Sequence, residues 1–179
     1  MKFLTEEKLR SSAILEVARS MLIAARTAPK SRGVDSLVLG LLQQADLKKL
    51  AVRMRQIGMK HGMNFFIRDA ENVMESTAVV LIGTRIKSIG IKRCGMCGFK
   101  NCEEKNQHPD HPCAFNTGDL GIAVGSAVSI AADHRVDNRV MFSVGQAAIE
   151  LGLLGKDVII AYGIPLSCSG KSPFFDRAR

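Results

Sequence analysis

The sequence predicts one domain that mixes long helices with a few strands and carries an inserted cysteine-rich loop. Three observations predict it. Apolar residues recur at helical spacing from Leu9 to Ala25 and again from Leu47 to Ile57. Residues 78–83 and 158–162 are continuously apolar and rich in β-branched side chains, the pattern of buried strands. Four of the five cysteines stand between Cys94 and Cys113, where Gly, Pro, Asn and His predict loop rather than regular structure.

At 179 residues the chain is long enough for one ordinary domain with a real core. Hydrophobic content of 46% fits a folded protein. There is no tryptophan and a single tyrosine, Tyr162, which argues against a base-stacking surface. The net charge is +8, but Lys48, Lys49, Arg53, Arg55 and Lys60 alternate with apolar positions, as on a solvated helix face. Nucleic acid is therefore not the expected partner. Residues 1–10 are charged and lack the apolar segment of a signal peptide, and no run of about 18 apolar residues predicts a membrane span. The expected location is cytoplasmic, where clustered cysteines read as metal ligands or redox groups rather than disulfides.

Thr5 is placed to cap a first helix, with Glu6 and Glu7 in its first turn. Pro29 stops that helix near Ala28. The following basic turn, Arg26 to Gly33, reads equally as an anion-holding loop or as a plain interhelical turn. Residues 35–43 read as a short helix. Asp46 starts another, which ends between Gly58 and Gly62. Phe65-Phe66-Ile67 reads as a short strand, residues 69–76 as one or two helical turns, and 78–83 as a strand. Residues 85–118 form the cysteine-rich insertion within a single domain of residues 1–179. Asp119 is expected to cap a very apolar helix to Ala132, and Asp137 to start a further helix to Leu153. A last strand at 158–162 precedes a loop-like tail.

The cysteines follow a C-x2-C-x4-C-x10-C spacing. Cys94, Cys97 and Cys102 can wrap three corners of a [4Fe–4S] cube, and the more distant Cys113 can close the fourth. Five cations and no acid lie between Arg85 and Lys100, which would offset thiolate charge. Zinc is the alternative, although four-cysteine zinc sites more often use two separated C-x2-C pairs. His108 and His111 are the substitute ligands in that case, and free or redox thiols are the third reading. Cys168 reads as an ordinary loop thiol.

Cys94-Gly95-Met96-Cys97-Gly98 with Cys102 and Cys113, then Asp119-Leu120-Gly121-Ile122-Ala123-Val124-Gly125, Asp137-Asn138-Arg139-Val140, Gly163-Ile164-Pro165-Leu166-Ser167 and Phe175-Asp176-Arg177 resemble the ferredoxin-domain-containing proteins. That resemblance implies an iron–sulfur protein. A second, weaker resemblance is to FMN-dependent nitroreductases. It rests on Ala25-Arg26-Thr27-Ala28-Pro29-Lys30-Ser31, the 119–132 helix and Tyr162-Gly163-Ile164-Pro165. It implies an α+β fold, with nitroreductase-like helices around a small mixed or antiparallel sheet, a homodimer joined through helices, and FMN at the subunit interface. The N-terminal Arg-Arg-Ser of that family is missing here, so Arg26, Lys30, Ser31 and Arg32 are left as the candidates for a phosphate or anion contact. Together these readings predict a homodimeric iron–sulfur redox protein, acting with a redox partner protein in electron transfer or flavin-assisted reduction. The alternative is a zinc-stabilised, non-enzymatic binding module.

Overall fold

The computed structural model describes residues 3–175; Asp176 and Arg177, which belong to one of the quoted motifs, lie outside them. The elements run α1 (Glu6–Thr27), β1 (Leu37–Gln43), α2 (Ala45–His61), α3 (Asn64–Met74), β2 (Ala78–Arg85), α4 (Cys102–Asn106), α5 (Ala114–Asp133), β3 (Asp137–Asn138), α6 (Phe142–Glu150) and β4 (Val158–Ser167). The four strands form one antiparallel sheet in the order β1-β2-β4-β3. The fold is α+β, with helices around a small antiparallel sheet.

Strand β2 explains the layering. Its residues from Ala78 to Thr84 are all buried, so both faces of the sheet must be covered. Val80 and Ile82 face one apolar cluster with Ile14, Met21 and Ala25 of α1 and Leu120, Ala123 and Ala127 of α5. Val79 and Leu81 face the other, with Leu50 and Met54 of α2, Phe66 and Val73 of α3, and Val144 and Ala148 of α6. The alternation along one strand thus sorts the helices into two layers. Buried Asp69 ties α3 to α6 by accepting from Ser143 Oγ at 2.5 Å, and Arg68 donates to its other oxygen at 2.7 Å. Glycine sets the spacing of α6 on β4. A Cβ on Gly145 would meet the Ala161 carbonyl oxygen at 1.9 Å.

Several elements differ from the expectation. Residues 35–43 are not a helix; 37–43 are the edge strand β1, whose leucines pack on both faces of the sheet. A short apolar leucine run does not distinguish the two states by periodicity. Phe65-Phe66-Ile67 is not a strand but the first turn of α3, whose buried residues Phe66, Ala70 and Val73 recur at helical spacing. Asp119 is not a cap: α5 starts five residues earlier, at Ala114, and Asp119 is buried inside it. Residues 137–138 are strand and α6 begins only at Phe142. The Gly163-Ile164-Pro165 tail continues β4. Pro165 is tolerated because of where its missing N–H lies. Gly163 bonds to Met141 on the β3 side, so position 165 faces that side too, beyond the Met141 bridge.

Candidate functional site

Two irregular segments meet beside the N-terminal half of α5. The first is the turn after α1. Ala28 leaves the helix at ψ 142°, as a residue before proline does. Lys30 then folds back. Its Nζ donates to the carbonyls of Ala25 at 3.1 Å and Ala28 at 2.8 Å, and to that of Arg26. A cation there satisfies orphan carbonyls at the negative end of the helix dipole. Ser31 donates through its backbone N–H and Oγ to the buried Asp119 carboxylate at 2.8–3.1 Å. Arg32 adopts a left-handed φ of 54° and sends one terminal nitrogen to the carbonyls of Ile89 and Gly90 at 3.1 and 3.2 Å. Arg26 pairs with Asp35 at 2.5 Å through one terminal nitrogen. Burial raises the Asp35 pKa, but hydrogen bonds from Arg26 and the Leu37 amide outweigh it, leaving the group below the usual carboxylate range.

The four candidate residues are therefore brought together, but they differ in what they leave free. Lys30 and Ser31 are turned inward and hold the turn. Arg26 and Arg32 each engage one nitrogen in the fold. Their Nε and second terminal nitrogen have no hydrogen bond among the described residues.

The second segment is the cysteine loop. Gly95 and Gly98 have φ of 67° and 87°, which supply the tight turns around Cys94 and Cys97. Asn101 caps α4 by accepting from the Glu104 amide at 2.9 Å, and Glu104 accepts from the Lys100 amide at 2.6 Å. Cys113 is buried at the start of α5, and all five cysteines are free thiols. Cys94, Cys97, Cys102 and Cys113 line one cavity with Ile89, Ile91, Phe99, Lys105 and Phe115. Its volume is about 10 Å³, the space of roughly one water molecule.

This geometry overturns the metal expectation. Among the described residues, no group of three or more His, Cys, Asp or Glu side chains is placed to hold a metal ion. The thiols share a wall, but sharing a wall does not make them a ligand set. His108 and His111 do not serve as substitute ligands for zinc. His108 stacks on Phe99 with ring centroids 5.0 Å apart, and His111 meets the same ring edge-on at 5.3 Å. The iron–sulfur assignment, the zinc alternative and the idea of a metal-binding loop are all corrected on this ground.

Two site residues escaped the sequence. Asp119 is the one charged side chain in the long apolar stretch of α5 from Ala114 to Ala132, and that isolation was the signal. Lys105 is 3% exposed and lines the thiol cavity; nothing in its sequence context, between Glu104 and Asn106, marks it as buried.

Comparison with known proteins gives the chain a family and its fold a set of structural relatives. Residues 110–177 match the family described as "Uncharacterized protein containing a ferredoxin domain" (DUF2148). A protein of Archaeoglobus fulgidus, itself described as uncharacterized, is 40% identical over 183 residues, spanning 98% of this chain and 97% of that one. Among solved structures, the FMN-dependent nitroreductase NfnB of Mycobacterium smegmatis, in complex with NADPH, matches with a TM-score of 0.60. It is 12% identical and covers 87% of this chain and 78% of its own. An oxidoreductase containing FMN matches at 0.58, with 13% identity over 90% of this chain and 70% of its own. A BluB-like flavoprotein of Clostridium difficile matches at 0.53, with 15% identity over 95% and 87%. At these identities the structural likeness shows a shared nitroreductase-like fold. The chain belongs to the ferredoxin-domain-containing family.

Proposed function

We propose that this member of the ferredoxin-domain-containing family is an FMN-dependent oxidoreductase, active as a cytoplasmic homodimer. In this reading residues 1–179 form one unit, and 85–118 is an insertion that borders the flavin site. The observation that carries it is the turn after α1. On a fold shared with FMN-containing proteins, it holds two guanidinium groups whose outer nitrogens are unengaged among the described residues. Guanidinium suits a phosphate because its planar fork donates two parallel hydrogen bonds. Arg32 is the stronger donor, because its fold contacts are neutral carbonyls, whereas Asp35 already partly neutralises Arg26. Lys30 and Ser31 serve the site by fixing the turn.

Bound FMN would accept a hydride from a reduced nicotinamide and pass electrons to an acceptor or a redox partner protein. The chain's own part is to hold the phosphate, orient the ring and exclude water. No helix among the described residues is long and apolar enough to cross a membrane, in keeping with a cytoplasmic site of action.

The test is a titration of the purified chain with FMN, followed by flavin fluorescence. Saturable quenching is expected, and Arg32→Ala should weaken it by about tenfold, the loss of a charge-assisted contact. Bound flavin should support oxidation of NADH or NADPH. A chain that takes up no FMN at near-millimolar flavin would overturn the proposal.

A further inference from the structure

The cysteine loop holds a buried cation beside its thiols. Lys105 is 3% exposed, and its ammonium has no hydrogen bond or ion pair among the described residues. The cavity that it lines has no carboxylate in its wall. Glu103 and Glu104 are exposed, and Glu104 accepts from the Lys100 amide instead. The 20-residue helix α5 begins at the same wall, after Cys113, and turns the positive end of its dipole there. A positive charge withdrawn from water is costly unless opposite charge lies near it. The side chains of this wall able to carry negative charge are the four cysteines.

The four sulfurs are not equivalent. Cys113 is buried, and Cys102 Sγ leans on the Ile91 carbonyl at 4.0 Å. Cys94 and Cys97 are half-buried. Between them Gly95 takes a φ of 67°, and the Gly98 amide donates to the Gly95 carbonyl at 3.0 Å, which folds the chain so that both cysteines line one wall. A molecule from outside reaches these two sulfurs first. Its approach is electropositive. Residues 85–113 carry six cations and three acids, and exposed Lys92 and Arg93 stand immediately before Cys94.

We propose that Cys94 and Cys97 are a dithiol–disulfide exchange pair for an anionic low-molecular-weight disulfide, with Lys105 as the positioning residue that supplies the opposite charge. One sulfur of the pair attacks the substrate S–S bond. That bond breaks, a mixed disulfide forms and the first substrate thiol leaves. The second sulfur attacks the mixed disulfide at the protein sulfur, closes the Cys94–Cys97 bond and releases the second thiol. Two electrons pass from the protein dithiol to the substrate disulfide, and the two protons leave on the product thiols. Lys105 offers positive charge beside the sulfur that is negative in each step. The loop is held by local bonds, so it yields to a substrate without loss of the sheet. The substrate alone balances the exchange, which therefore stands apart from the flavin reading.

The test uses the reduced, flavin-free full chain with Cys168→Ser, which removes the exposed thiol after β4. Oxidised glutathione is the probe, and cystamine its cationic counterpart. Oxidised glutathione should convert the chain to a form lacking two hydrogens, with peptide masses placing the new bond between Cys94 and Cys97. A further Cys97→Ser should halt the reaction with one glutathione attached at Cys94. Oxidised glutathione should react about tenfold faster than cystamine at low salt, and added salt should shrink that advantage. Lys105→Met should slow the exchange about tenfold, and Lys105→Arg, which keeps the charge, should recover part of the rate. If the Lys105 variants do not fold, the mapped bond and the comparison of probes decide. A bond mapped to another pair, a chain that stays reduced or ends with glutathione attached, equal rates with the two probes, an unchanged rate in a folded Lys105→Met chain, or iron held by these sulfurs in chain isolated without air would each overturn the proposal. FMN uptake is measured separately, so either reading can fail alone.

Discussion

The turn after α1 and the cysteine loop stand side by side, and both looked like sites in the sequence. They are built in opposite ways. The turn is short and bound to distant parts of the fold, with Ser31 on Asp119 and Arg32 on the 89–90 backbone. The cysteine loop is longer and bound mostly to itself, through the Asn101–Glu104 cap and the Phe99, His108 and His111 stack. A segment anchored at long range is part of the cooperative fold. A segment held by local bonds can open alone. Residue chemistry in the sequence pointed to the second as the centre, but among the described residues its thiols are not placed as a metal-ligand set.

This contrast can be broken at defined points. The largest effect is expected at Asp119→Ala, which strands the half-buried Ser31 donors. Urea unfolding should show a loss of about 2–3 kcal/mol. An unchanged midpoint would mean that the turn is not anchored as described. Next is Lys30→Met, which keeps the stem and removes the ammonium from three carbonyls. A loss of about 1–2 kcal/mol is expected by the same measurement. Asn101→Ala removes a cap worth about 1 kcal/mol. Its signature should be faster amide exchange confined to residues 101–107, with the global midpoint nearly constant. A matching global loss would show that the cysteine loop folds cooperatively with the sheet. The smallest effect is electrostatic. Because the Asp35 pKa is depressed in the fold, its stabilisation is complete above the unfolded carboxylate value, about 3.9. It fades as pH falls through the lower folded value. Asp35→Asn should flatten the acid limb of stability below about pH 4, and an identical limb in both proteins would remove the pair from the account.

Much of the scaffold was legible. Helices α1 and α2 and strand β2 follow directly from apolar spacing, from Pro29 and from Gly62, whose left-handed conformation ends α2. The edge strand was not legible, because Leu39, Leu41 and Leu42 have good helix propensity and only the neighbouring β2 makes them a strand. The same holds for Phe65 and Phe66, whose aromatic content favours strand until α2 and α6 are packed against them. At the site, the basic turn was visible, but its anchor lies 88 residues away. Local rules cannot pair Ser31 with Asp119. The cysteine spacing was equally visible, yet spacing along a chain does not fix convergence in space.

Pro165 has a consequence at the opposite side of the sheet. There β3 is two residues long, and position 165, which faces it between the Asn138 and Met141 contacts, has no N–H to donate. The ladder therefore cannot run unbroken from β3 to Met141, and the segment leading into α6 is held to β4 at two separate points with a gap between them.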